Sequence, residues 1–72
     1  MKKTENNILI IVGTNIRKIR ISQNLSQNQL SYETGLTREY INKIESGKYN
    51  ISIKKLSLIS EALNVDIKSL FD

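Results

Sequence analysis

The chain has 72 residues, 39% hydrophobic and 25% charged, which suits one small globular domain rather than a membrane piece or a disordered tail. It contains no cysteine and no histidine, which excludes disulfide scaffolds, Cys/His zinc motifs and every Ser-His or Cys-His nucleophile pair. Eleven Lys and Arg against seven acids give a net charge of +4 and a sequence pI near 9.6, a balance that suits a polyanionic partner.

Residues 1–6 read as a flexible polar tail ahead of a single domain over 7–72. Lys2 and Lys3 precede the apolar run Ile8–Val12. That run is five residues long, whereas a signal-peptide core needs about 7–15 apolar residues and a spanning helix about 20. It opens a first helix over about 7–22 instead, because Leu9, Val12, Ile16 and Ile19 share one face at helical spacing. The expectation is a bacterial cytoplasmic protein. Abundant Ile, Asn and Lys fit an A+T-rich genome.

One small pattern then recurs four times: an apolar residue, a Ser, Thr or Asp, three residues, and a second apolar residue. It stands at Leu25-Ser26…Leu30, Leu36-Thr37…Ile41, Ile51-Ser52…Leu56 and Val65-Asp66…Leu70. The oxygen-bearing residue has the chemistry of an N-cap, and the apolar pair takes the hydrophobic-staple positions. Gln29 adds a Ser-x-x-Gln capping box to the first instance. These starts predict helices over about 27–33, 38–45, 53–62 and 67–71. Gly35 and Gly47 fall just past helix ends, where a left-handed residue is wanted. Five short helices and no sheet is the expected all-α fold.

Helices 27–33 and 38–45 are joined by Thr34-Gly35-Leu36, with Thr37 capping the second. So short a glycine-containing turn fits a helix-turn-helix, over about 26–45, whose second helix enters the DNA major groove; it would also serve an ordinary helical hairpin. Ile41 and Ile44 mark the inward stripe of the second helix. Glu39, Asn42, Lys43 and Ser46 face away from it, and Arg38 lies near the exposed N-terminus. Arg or Lys can donate to guanine O6/N7, Asn can pair with adenine, and Glu can accept from cytosine N4. A plain solvated face would look similar, and only the position after the turn favours base reading.

A second group has the chemistry of phosphate contact. Ser26 and Gln27 open helix 27–33, where unpaired N–H groups and the positive dipole end favour an anion. Lys48, Tyr49 and Asn50 follow the outward helix, and Lys54 lies in the first turn of the next. Singly each also reads as a solvated residue; together they would rim one surface. No gathering of acids, Gly-rich loop or base–nucleophile pair supports an enzyme, and no cofactor or metal is expected.

Ile16-Arg17-Lys18-Ile19-Arg20, Leu25-Ser26-Gln27-Asn28-Gln29-Leu30, Thr34-Gly35-Leu36-Thr37, Tyr40–Lys48 and Leu56…Ile59…Ala62-Leu63-Asn64-Val65 together resemble the Cro/CI-type (XRE) helix-turn-helix family. The resemblance covers about 13–71. It implies a five-helix, lambda-repressor-like bundle that binds operator DNA as a two-fold dimer. By it, Thr37, Arg38, Glu39 and Lys43 occupy base-reading positions, joined by Asn42 from the helix face. The phosphate-contacting set becomes Gln27, Tyr40, Ser46, Lys48, Tyr49, Asn50 and Lys54. Arg20 and Glu45 occupy positions that the family often pairs in a partly buried, structural salt bridge. Tyr40-Ile41 and Asn50-Ile51-Ser52-Ile53 are similar to the controller proteins of restriction–modification systems. Ser31 departs from the family's usual alanine, and Tyr49 stands where controllers often have arginine.

The C-terminal segment supplies candidates for a homodimer interface: Ile67, Leu70 and Phe71, with Leu58 and Val65. The same side chains, Leu70 foremost, would also finish a monomer core. The expected function is a sequence-specific double-stranded DNA-binding transcriptional regulator acting on a near-palindromic operator, with contact to RNA polymerase if the operator lies beside a promoter. Two related readings stand beside the controller: a phage-type repressor, and the DNA-binding antitoxin of a toxin–antitoxin pair.

Overall fold

The computed structural model describes residues 2–72, and the regular structure among them is entirely helical. Four α-helices, α1 (Lys2–Ser22), α2 (Gln27–Thr34), α3 (Arg38–Glu45) and α4 (Ile53–Leu63), are followed by a 3-10 helix over Ile67–Phe71.

Side-chain caps start three of these elements. The Ser26 hydroxyl accepts from the Gln29 N–H at 3.0 Å while the Gln29 side chain accepts from the Ser26 N–H at 2.7 Å, completing the capping box. Thr37 accepts from Tyr40 N at 3.0 Å and Ser52 from Lys55 N at 3.2 Å. Each bond satisfies a donor that the helix itself leaves orphaned. The ends close by left-handed residues: Gly35 and Gly47 at φ 77°, and Asn24 and Asn64 at φ 61° and 60°. After α1, α3 and α4 the next two N–H groups fold back onto the last turn, as Asn24 N to Ile21 O and Leu25 N to Arg20 O do after α1, the Schellman closing.

The staple pairs converge on one core. Leu30, Ile41, Leu56 and Leu70, the second members, are buried together with Val12, Ile16, Ile44, Ile59 and Leu63. Leu25, Leu36, Ile51 and Val65, the first members, pack half-buried against them. Burying a side chain of this kind is worth about 1.5–3 kcal/mol. Of the α1 stripe, Val12 and Ile16 are buried, whereas Leu9 and Ile19 are half-buried.

Three expectations are corrected. The first helix begins at Lys2 rather than about residue 7, so residues 2–6 of the expected 1–6 tail are helical; Met1 lies outside the described residues. No proline or glycine interrupts Lys2–Val12, and each residue added to an anchored helix gains one hydrogen bond without a new nucleus. The fifth helix is 3-10, not α. Its cap position, Asp66, makes no side-chain cap bond, and Ser69 N reaches back only three residues, to Asp66 O at 2.9 Å, as short helical segments commonly do. Leu70, expected at a dimer interface, is fully buried in the monomer core. Its carbonyl accepts from the Asn15 side-chain amide of α1 at 3.0 Å, which draws the segment inward.

Close approach of α1 and α3 fixes how the latter sits. A methyl group built on Gly13 of α1 would overlap the Ile44 carbonyl oxygen and lie 3.0 Å from that of Glu45. Main chain therefore meets main chain at this crossing, and only glycine fits.

Candidate nucleic-acid interface

The turn between α2 and α3 is built from local bonds. Gly35 N donates to Ser31 O at 2.8 Å, and its left-handed backbone reverses the chain without the strain a Cβ would bring. The Thr34 hydroxyl donates to Leu30 O at 2.8 Å and accepts from Leu36 N at 3.2 Å. Leu36 then turns inward against the core, and Thr37 caps α3. The turn ends one α-helix and starts the next within three residues, Gly35 to Thr37.

Ile41 and Ile44 bury the inner face of α3. Thr37, Arg38, Glu39, Asn42 and Lys43, the five base-reading candidates, are all exposed. Ser46, Lys48, Tyr49, Asn50 and Lys54 of the phosphate set are exposed too, whereas Gln27 and Tyr40 are half-buried. The Gly47 and Lys48 N–H groups return to the carbonyls of Ile44 and Lys43, so the loop leaves α3 in a defined direction.

A polar network links three helices behind this surface. Arg20, 8% exposed, grips Glu45 through Nε to Oε2 at 2.7 Å and Nη2 to Oε1 at 3.0 Å. Its third nitrogen donates to Leu25 O at 2.7 Å. This bidentate pair joins the end of α1 to the end of α3 and satisfies both charges within the fold. Gln27 extends the network outward: its side-chain N–H groups donate to Glu45 Oε1 at 3.1 Å and to Asn42 Oδ1 at 3.2 Å. Arg17 and Ser46 complete the rim of an open polar cleft over these residues.

Two of the expected phosphate contacts are thus already engaged. A phosphate contact from the Gln27 amide would give up one of its two bonds. The Ser46 hydroxyl donates to Lys43 O at 2.8 Å and would have to rotate to reach an anion. Tyr40 and Tyr49 meet edge to face, with Lys55 over the first ring and Lys43 over the second. Lys55 and Arg17 were not among the sequence candidates. Lys55 lies one residue past Lys54 in the first turn of a helix whose start was legible. Arg17 falls three residues before Arg20 on α1, the spacing that places two side chains on one helix face.

The expected interface residues divide. Leu58 and Phe71 are 39% and 45% exposed, Val65 and Ile67 are half-buried against the core, and Leu70 is inside. No helix among the described residues is long and apolar enough to cross a membrane.

Comparison with known proteins agrees with this geometry. The helix-turn-helix family model matches residues 16–70. The control protein C.BamHI of Bacillus amyloliquefaciens is 44% identical over 68 residues, covering 93% of this chain and 84% of that protein. The control protein C.SmaI of Serratia marcescens is 37% identical over 60 residues, covering 83% and 71%. Among solved structures, the restriction-modification controller protein C.AhdI from Aeromonas hydrophila aligns with a TM-score of 0.85 and 32% identity, over 88% of this chain and 96% of that one. The chain belongs to the helix-turn-helix family.

Proposed function

We propose that this member of the helix-turn-helix family is a transcriptional regulator of the restriction–modification controller type, which binds a near-palindromic DNA operator as a homodimer. One observation carries the reading: after a tight capped turn, α3 buries Ile41 and Ile44 and leaves Thr37, Arg38, Glu39, Asn42 and Lys43 exposed. With α3 in the major groove, Arg38 and Lys43 donate to guanine O6/N7, Glu39 accepts from cytosine N4 and Asn42 addresses adenine. The Gln27 bond occupies Asn42 Oδ1 and leaves its N–H donors for a base. Lys48, Asn50 and Lys54 flank the groove against phosphates, where displaced counterions make affinity fall with salt. The activity is binding rather than catalysis, and its DNA partner sets a cytoplasmic location.

Dimerisation doubles the footprint and spaces two copies of α3 about one helical turn apart. Exposed Leu58 and Phe71 and half-buried Val65 and Ile67 are its apolar candidates; Leu70 has no part in it. Overlap with a promoter would repress, and contact with RNA polymerase beside one would activate.

Selection of duplexes from a random library by the purified chain, with sedimentation equilibrium on the same sample, tests the proposal. The expected result is a dimer that enriches two inverted half-sites about 10 bp apart. Arg38→Ala then costs about 1–3 kcal/mol and relaxes one position, while Lys48→Ala weakens all sequences alike. A library that stays random refutes the function, and equal losses on selected and random DNA for Arg38→Ala refute its base-reading role.

A further inference from the structure

Four side chains form a ladder along one edge of α3. The Lys55 ammonium stands 4.9 Å from the Tyr40 ring centroid. The Tyr40 and Tyr49 rings meet at 84°, with centroids 5.4 Å apart. The Lys43 ammonium stands 5.2 Å from the Tyr49 centroid. Every spacing is one at which a ring face attracts a cation or a ring edge attracts a second ring. The ladder spans three consecutive segments: α3, the loop after it, and the first turn of α4.

Lys43 is a compact charge on a flexible four-carbon stem, and a freely moving ammonium reaches several base edges equally well. Discrimination requires it to arrive at one. The Tyr49 face narrows the positions open to the ammonium, and the edge contact with Tyr40 braces Tyr49 in turn. The geometry points to Tyr49 as a positioning residue for base recognition: its ring, rather than its hydroxyl, fixes where Lys43 stands at the groove edge. This rests on the reading of α3 as the base-reading helix. It assigns Tyr49 a role different from the phosphate contact expected of an exposed loop tyrosine.

Ring and hydroxyl are separated by Y49F, which keeps the π face, and Y49L, which keeps apolar bulk without it. The probes are the duplex enriched by the wild-type chain and a scrambled duplex of equal length. Y49F is expected to bind both as the wild type does. Y49L is expected to bind the enriched duplex about two- to five-fold more weakly, the fold-change equivalent of one exposed cation–π contact, and the scrambled duplex unchanged. K43A should lose discrimination at the same base pair, and K43A/Y49L should bind no more weakly than K43A.

In the free protein, ring current should shift the Lys43 ε-methylene protons upfield in the wild type and Y49F but not in Y49L. A loss in Y49F as large as in Y49L, equal losses on both duplexes, additive losses in the double variant, or unshifted wild-type protons would each overturn the assignment. Failure to enrich any duplex would instead strike the function on which it rests.

Discussion

From Ser26 to Lys48 the chain is shaped by bonds to its own near neighbours: the Ser26–Gln29 box, the Gly35 return to Ser31, the Thr37 cap and the closing of α3 at Gly47. From Val65 to Phe71 it is shaped from a distance. Asp66 caps nothing, and the segment is held by the Leu70 side chain in the core and the Asn15 bond to the Leu70 carbonyl. The helix-turn-helix therefore keeps the form of its turn through contacts close in sequence and takes its anchorage from α1 and from the core it shares with α4. The C-terminal edge keeps a local bond, Ser69 N to Asp66 O, but owes its position to the rest of the molecule.

Four substitutions test that contrast. Glu45→Ala removes the partner of a buried guanidinium and should cost about 3–5 kcal/mol, because Arg20 is left charged and uncompensated; an unchanged urea midpoint would show that the helix-turn-helix does not depend on its anchor. Leu70→Ala should cost about 2–5 kcal/mol by opening a cavity in the core. A much smaller loss would mean that the C-terminal edge stands on its own backbone. Ser26→Ala should cost about 1 kcal/mol as a lost N-cap, seen as a lower melting temperature. Asp66→Ala, at the matching position of the other region, should stay within about 0.5 kcal/mol. Similar losses for the two cap variants would erase the distinction.

Legibility in the sequence follows the same division. Caps and staples are local chemistry, so α2, α3 and α4 could be bounded to within a residue or so, and the outward set on α3 could be named from helical spacing. Val65-Asp66…Leu70 carries the same pattern, but Asp66 makes no side-chain cap bond and the short segment closes as 3-10 through Ser69 N to Asp66 O. The burial of Leu70 inside rather than on a partner is a tertiary matter. Asn24 and Asn64 end helices in the left-handed conformation that Gly35 and Gly47 advertised; asparagine is the next residue to tolerate it, so the signal was there in weaker form. The start of α1 carried no cap to read. The Lys55–Tyr40–Tyr49–Lys43 ladder and the Gln27–Asn42 bond bring together residues from different elements, and neither spacing nor composition encodes them. The same holds for the role of Gly13, which in sequence is only a glycine in a helical run.

That crossing has a consequence for how such a chain can diversify. Where two main chains already touch, the helix axes can come no closer, and the separation at the crossing is set by backbone rather than by any side chain. The spacing of α3 from α1 is thus decoupled from the identity of the outward Arg38, Glu39 and Lys43, none of which takes part in that contact. Exchanging Arg38, Glu39 and Lys43 for another trio should retune what is recognised while leaving the frame and its melting point nearly untouched, so that new preferences can arise without the fold being renegotiated.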